Sequence, residues 1–148
     1  MALKASRRRA REIALQALYA WQLAGADAVA EARTLDGWER CDQAFAEDLI
    51  RGVIRCAAQL EQRIAPVLDR EFGRLSPVER AILCIGAYEL AERPETPFKV
   101  VINEAIELAK SYGGTDGHKY VNGVLDKAAA ELRPVEVQAA RAARRPPE

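Results

Sequence analysis

Helical periodicity is the feature that most limits what this chain can become. Its apolar residues recur three and four apart from end to end, and no stretch sustains the two-residue alternation of a half-buried strand. Ala10, Ile13, Ala14, Ala17, Leu18 and Trp21 form one apolar stripe. They predict a helix from near Ser6 to Leu23, with Gly25 after it. A short Ala-rich segment from Asp27 to Leu35 reads as helix, Gly37 interrupts, and a longer helix is expected from about Asp42 to Leu60, with a further turn or helix leading into Pro66.

The second half carries sharper punctuation. Ser76-Pro77-Val78-Glu79 combines an N-cap serine, a proline at the first helical position and a glutamate at N3. Val78, Ala81, Ile82, Ile85 and Tyr88 follow on one face, and Arg93-Pro94 ends the helix. Thr96-Pro97 opens the next helix in the same way, with Ile102, Ala105, Ile106, Ala109 and Tyr112 on its face and Gly113-Gly114 as its stop. Asp116 is the expected cap of the last helix, whose face is Val121, Val124, Leu125, Ala128, Ala129 and Leu132, and Pro134 ends it. The chain of 148 residues thus reads as all-α. A single domain is expected over residues 1–134, and residues 135–148 are expected to be a mobile tail carrying Arg141, Arg144 and Arg145.

The residues argue against most catalytic chemistry. His118 is the only histidine, so no H-E-x-x-H or other His-pair metal site can form. No G-x-S-x-G elbow supports a Ser-His-Asp arrangement. Cys41, Cys56 and Cys84 have no C-x-x-C spacing and read as reduced cytosolic thiols. Cys84, inside an apolar helix, reads as inert. Gly113-Gly114-Thr115-Asp116-Gly117 lacks the Gly-Lys-Ser/Thr ending of a phosphate loop. No cofactor, metal or enzymatic activity is expected. No run of about 18 apolar residues spans a membrane, and the stretch after the basic N-terminus is amphipathic and contains Glu12 and Gln16, unlike an export signal. A cytoplasmic location is expected.

Charge is where the chain is unusual. Lys+Arg and Asp+Glu are both 22, for a net charge of zero. Yet Lys4, Arg7, Arg8, Arg9 and Arg11 precede the first acid, and setting those five aside leaves 17 bases against 22 acids. A basic terminus is most often merely solvated. Positive charge at a helix start, however, opposes the macrodipole at about 0.3–1 kcal/mol per well-placed charge, so stability alone would place acids there. Opposite the apolar stripe, Arg8, Arg11, Leu15, Tyr19 and Gln22 fall in line, with Arg8 and Tyr19 roughly 16 Å apart at 1.5 Å rise per residue. Arginines beside an exposed aromatic suit single-stranded RNA, where guanidinium groups meet phosphates and a ring stacks on a base. The competing reading packs Tyr19 against another helix of the same chain. Tyr120 lies at the edge of its helix's apolar face, where half-buried tyrosines are common. Lys119 points outward beside it, and His118 reads as an ordinary first-turn residue.

Three segments resemble the NusB family of transcription antitermination factors: Arg7–Glu12 followed by Ala17–Gln22, Val101–Lys110, and His118–Lys127. The last is the most specific, and the resemblance is weakest from Ala24 to Gln43 and in the tail. It implies a bundle of two small three-helix halves. It implies binding to boxA-type single-stranded RNA together with a small-subunit ribosomal protein, NusE, and action on elongating RNA polymerase with other Nus factors in ribosomal RNA operons. By resemblance the RNA contacts are Arg7, Arg8, Arg9, Arg11, Tyr19, Asp116, His118, Lys119 and Tyr120, and the basic cluster and the stripe add Lys4 and Gln22 as candidates. Many relatives carry Phe where Tyr120 stands, and others Ser where Gly117 stands. Glu79 and Tyr88 are expected on the ribosomal-protein face, although Glu79 also fits a capping box with Ser76. If four or five arginines meet phosphates, log K against log salt should have a slope near −3, at about −0.7 per contact. Replacing Arg8 and Arg9 by Ala should then weaken RNA binding without lowering the melting temperature. The alternatives are a helical protein-interaction adaptor without specific RNA binding, and a small helical hydrolase.

Overall fold

The computed structural model describes residues 2–144, and every regular element among them is helical. Helix α1 (Ala2–Ala24) is followed by α2 (Ala28–Thr34), α3 (Gln43–Arg55), α4 (Ala57–Ile64), α5 (Pro77–Glu92), α6 (Phe98–Tyr112), α7 (Gly117–Leu132) and α8 (Pro134–Ala143). Short 3-10 turns at Trp38–Arg40, Ala65–Val67 and Phe72–Arg74 bridge the longer connections. Helices α1, α2 and α3 pack on one another, and so do α5, α6 and α7. These are the two three-helix halves, joined by α1 and α4 against α5.

Helix α5 is the shared centre. Every residue from Ala81 to Leu90 is buried, so the single apolar face read from its sequence becomes a fully enclosed helix, as an apolar circumference requires. Ser76 caps it as expected, its Oγ accepting from the Glu79 N–H at 3.1 Å. Tyr88 lies against Gly52 of α3 so closely that a Cβ there would fall 2.2 Å from the ring.

Three expectations change. The helix expected from Asp42 to Leu60 breaks at Cys56, which separates α3 from α4. Its apolar positions (Val53, Ala57, Leu60, Ile64) stay in phase across the break, so periodicity gives no warning of it. Thr96 does not cap α6. Its place is taken by Glu136 from α8, whose carboxylate accepts from the Phe98 N–H at 2.9 Å. Asp116 does not cap α7 by its side chain either. It sits at φ 63°, a left-handed conformation that Asp tolerates better than most residues.

Part of the expected tail is helical. Residues 134–143 form α8, because Val137 is buried and Glu136 is tied to α6. Arg133, at the α7–α8 junction, donates to the carbonyls of Glu89, Leu90, Arg93 and Thr96 and so satisfies the C-terminal end of α5. Arg141 and Arg144 are exposed. Arg145 and the remainder of the tail lie outside the described residues.

Candidate nucleic-acid interface

The five bases at the start of α1 divide into two sets. Arg11 points inward. Its Nε and Nη2 donate to the Glu89 carboxylate, both at 2.8 Å, and the side chains of Arg11 and Glu89 are only 5% and 1% exposed. Arg7 is half-buried, 3.4 Å from Asp42 and 4.6 Å above the Phe45 ring. Arg11 and Arg93 also lie about that ring, at 5.0 and 4.9 Å. These cations hold α1 to α3 and α5. The use for arginines against the helix dipole is therefore, in part, internal ion pairing. Arg11 is corrected here: its guanidinium cannot reach a phosphate without breaking a buried pair.

Lys4 and Arg8 are exposed, and Arg9 is half-buried. Arg8 lies across the groove between α1 and α6, donating from Nε and Nη2 to Glu104 at 3.0 and 2.8 Å. Burial pushes the Glu104 carboxyl up, but the Arg8 hydrogen bonds and the charges of Arg8, Arg11 and Lys4 outweigh it and hold the group below the usual glutamate range. Arg9 lays its stem on Gly37. That glycine has φ 98°, and a Cβ there would come 3.1 Å from Arg9 Cδ. Neither Lys4 nor Arg9 has an ion-pair partner among the described residues.

The outward stripe of α1 is therefore Lys4, Arg8, Glu12, Gln16 and Tyr19, not the line through Arg11 and Leu15, both of which are buried. The stripe rotates because α1 is flanked by α2, α3 and α5 on one broad arc and by α6 on another. Tyr19 keeps 40% of its surface exposed. Tyr112, from the end of α6, meets the same helix, its hydroxyl 3.4 Å from Gln16 and 3.5 Å from Glu12. Burial and then Glu12 raise the Tyr112 pKa. Residue numbers 8 and 104, then 12 and 112, show α1 and α6 running side by side in the same direction.

The turn after Tyr112 delivers the start of α7 to this end of the molecule. Gln22 of α1 donates to the Pro77 carbonyl at 2.9 Å. A Cβ on Gly117 would lie 3.9 Å from the Glu79 carboxylate. The C-terminal half of α1 and the starts of α5 and α7 are thus neighbours. Lys119 is 72% exposed and 3.3 Å from Asp116, itself 66% exposed. His118 is half-buried. The start of α7, with Asp116 and Lys119 exposed and His118 half-buried, thus lies near the Gln22 end of α1, whereas Lys4, Arg8 and Arg9 lie at its other end.

A model of the NusB family matches residues 8–130. The chain belongs to the NusB family. It is 51% identical to the transcription antitermination protein NusB of Thiobacillus denitrificans over 139 residues, 92% of this chain and 96% of that protein. The NusB of Burkholderia mallei is 51% identical over 143 residues, 95% and 99% of the two chains. Among solved structures, T. maritima NusB matches with TM-score 0.78 at 33% identity, over 89% of this chain and 96% of that one. A chain in a complex of the antitermination factors NusB and NusE with double-stranded RNA matches with TM-score 0.74 at 25% identity, over 84% and 96%.

Within this NusB-family fold, three residues named from the resemblance make contacts inside the chain, and Glu79 holds the capping place expected for it. Tyr88 is 3% exposed, and its hydroxyl donates to Asp48 at 2.8 Å. Burial and then the Asp48 carboxylate raise its pKa. It is a core residue of α5 and offers a partner no surface. Glu79 is half-buried at the start of α5, where the Ser76 hydroxyl donates to it at 3.3 Å. Tyr120 is half-buried and packs toward the segment after α4, where the Arg70 guanidinium covers its ring at 4.3 Å. It lines a cavity of about 360 Å³ with Pro66, Leu68, Lys119, Val124 and Lys127. One face of this ring is thus already occupied by a cation.

The feature sequence reasoning missed is the chain of charges Glu89–Arg11–Glu104–Arg8, which runs from the core to the surface. A signal existed: Glu89 and Glu104 each interrupt an otherwise apolar face, and a buried acid requires a partner. Cys84, read as inert, is buried, and burial pushes its thiol up to about 12. No helix among the described residues is long and apolar enough to cross a membrane.

Proposed function

We propose that this NusB-family protein is a transcription antitermination factor. It binds boxA-type single-stranded RNA together with the ribosomal protein NusE and acts on elongating RNA polymerase, with other Nus factors, in ribosomal RNA operons. The observation that supports this reading is the exposure of Lys4, Arg8 and Tyr19 along α1, with Lys119 exposed at the start of α7. Cations along a track with an exposed aromatic ring are the arrangement single-stranded RNA requires. The family membership supports it, as does the likeness to a chain from a NusB–NusE–RNA complex. The protein is a cytoplasmic scaffold, not an enzyme, and residues 1–134 act as one unit. Glu79, at the start of α5, is the residue proposed to meet the ribosomal protein.

Fluorescence anisotropy with a boxA-type RNA and a scrambled control, with and without purified NusE, tests the proposal. Preference for the boxA-type RNA, strengthened by NusE, is expected. Equal weak binding to both RNAs, unaltered by NusE, would favour the adaptor reading.

A further inference from the structure

We propose that Glu104 is a positioning residue for RNA: from α6 it grips one edge of the Arg8 guanidinium and so presents the other edge outward as a preformed phosphate fork. The inference rests on the RNA-binding reading above and deepens it. An arginine has five N–H donors in a fixed planar array. Glu104 takes the Nε–H and one Nη2–H. Three donors remain, two of them on the Nη1–Nη2 edge, which can meet a phosphate with two parallel bonds. The Glu104 side chain is only 7% exposed, whereas Arg8 is 47% exposed. The carboxylate is therefore anchored in protein while the guanidinium reaches solvent.

The anchor is itself braced. Glu104 Oε1 lies 3.7 Å from Arg11 Nη1, and Arg11 is held by both oxygens of Glu89. The four groups alternate in sign from the core to the surface and together carry no net charge. Arg8 in this setting contributes little long-range attraction, which falls to Lys4 and Arg9. Its contribution is direction. A long flexible side chain normally loses rotamer freedom when it binds, and that cost is reduced where the geometry already exists.

The sign of the Glu104→Gln effect decides the matter. Removing the carboxylate's charge leaves Arg8 more positive, and by electrostatics alone RNA should bind more tightly. A positioning role predicts the reverse: a loss of about tenfold in affinity, the usual worth of one charge-assisted hydrogen bond. Arg8→Ala and the double variant Arg8→Ala with Glu104→Gln should then bind RNA equally. Arg8→Lys leaves Glu104 in place, keeps the charge and lacks the second edge. It should lose affinity to a similar degree with the salt slope unchanged, and it serves if Glu104→Gln fails to fold. Binding by Glu104→Gln as tight as wild type or tighter would overturn the proposal, as would additive losses in the double variant or full affinity in Arg8→Lys. Failure of the wild-type protein to bind RNA would overturn the reading beneath it instead.

Discussion

The two ends of the proposed RNA track are built on opposite plans. At the start of α1, Arg8 is fixed through Glu104 and Arg11 to Glu89 at the centre of the fold. At the start of α7, Lys119 meets only its own neighbour Asp116, both well exposed. The first end is rigid and tied to stability. The second is adaptable and tied to nothing else. Identical charges therefore carry different consequences, because a buried pair broken on one side leaves an uncompensated ion, whereas an exposed pair contributes little.

This contrast can be broken most severely at Arg11. Arg11→Ala strands Glu89 in the core and should destabilise the protein by about 3–5 kcal/mol, read by denaturant unfolding. An effect below about 1 kcal/mol would show that the pair does not hold α1 in place. Next comes acid. Glu104 titrates below the ordinary range and so contributes stability that is fully present above the unfolded value of about 4.3 and is lost as pH falls through the lower folded value. Glu136, lowered first by the Phe98 N–H and then by Arg133, acts in the same direction on α8. Melting temperature should fall with pH across this window, and less steeply in Glu136→Gln. An equally steep fall in that variant would remove Glu136 from the account. The smallest effect is expected at Lys119. Lys119→Ala should leave the melting temperature unchanged and reduce the salt slope of RNA binding by about 0.7. A lowered melting temperature would mean that the two ends are not built differently.

The same contrast explains what was legible in the sequence. Helix order and most boundaries follow from periodicity, from Ser76-Pro77 and from Gly113-Gly114, because these are local properties. The two-edged role of the arginines is not local. The stripe through Arg8, Arg11, Leu15 and Tyr19 assumed one apolar face per helix, but α1 has helices on two sides, which buries Arg11 and Leu15. Capping of α6 by Glu136 joins residues 38 apart in sequence, and no pattern near Thr96 announces it. Tyr88 was read as an apolar-face residue and also, by resemblance, as a partner contact; the fold keeps only the first. The expected slope near −3 would now rest on Lys4, Arg8, Arg9 and Lys119 as the phosphate contacts, at about −0.7 each. The expectation that losing Arg8 and Arg9 leaves stability unchanged does not survive, because Arg8 partners a buried carboxylate.

Nuclear magnetic resonance titration of the labelled protein with boxA-type single-stranded RNA tests the central claim most directly. Shift changes are expected along Lys4–Arg9, at Tyr19 and across Gly113–Lys119, while α2 and α8 stay silent. Changes centred on α2 or α8, with the α1 stripe and the start of α7 unmoved, would contradict the account.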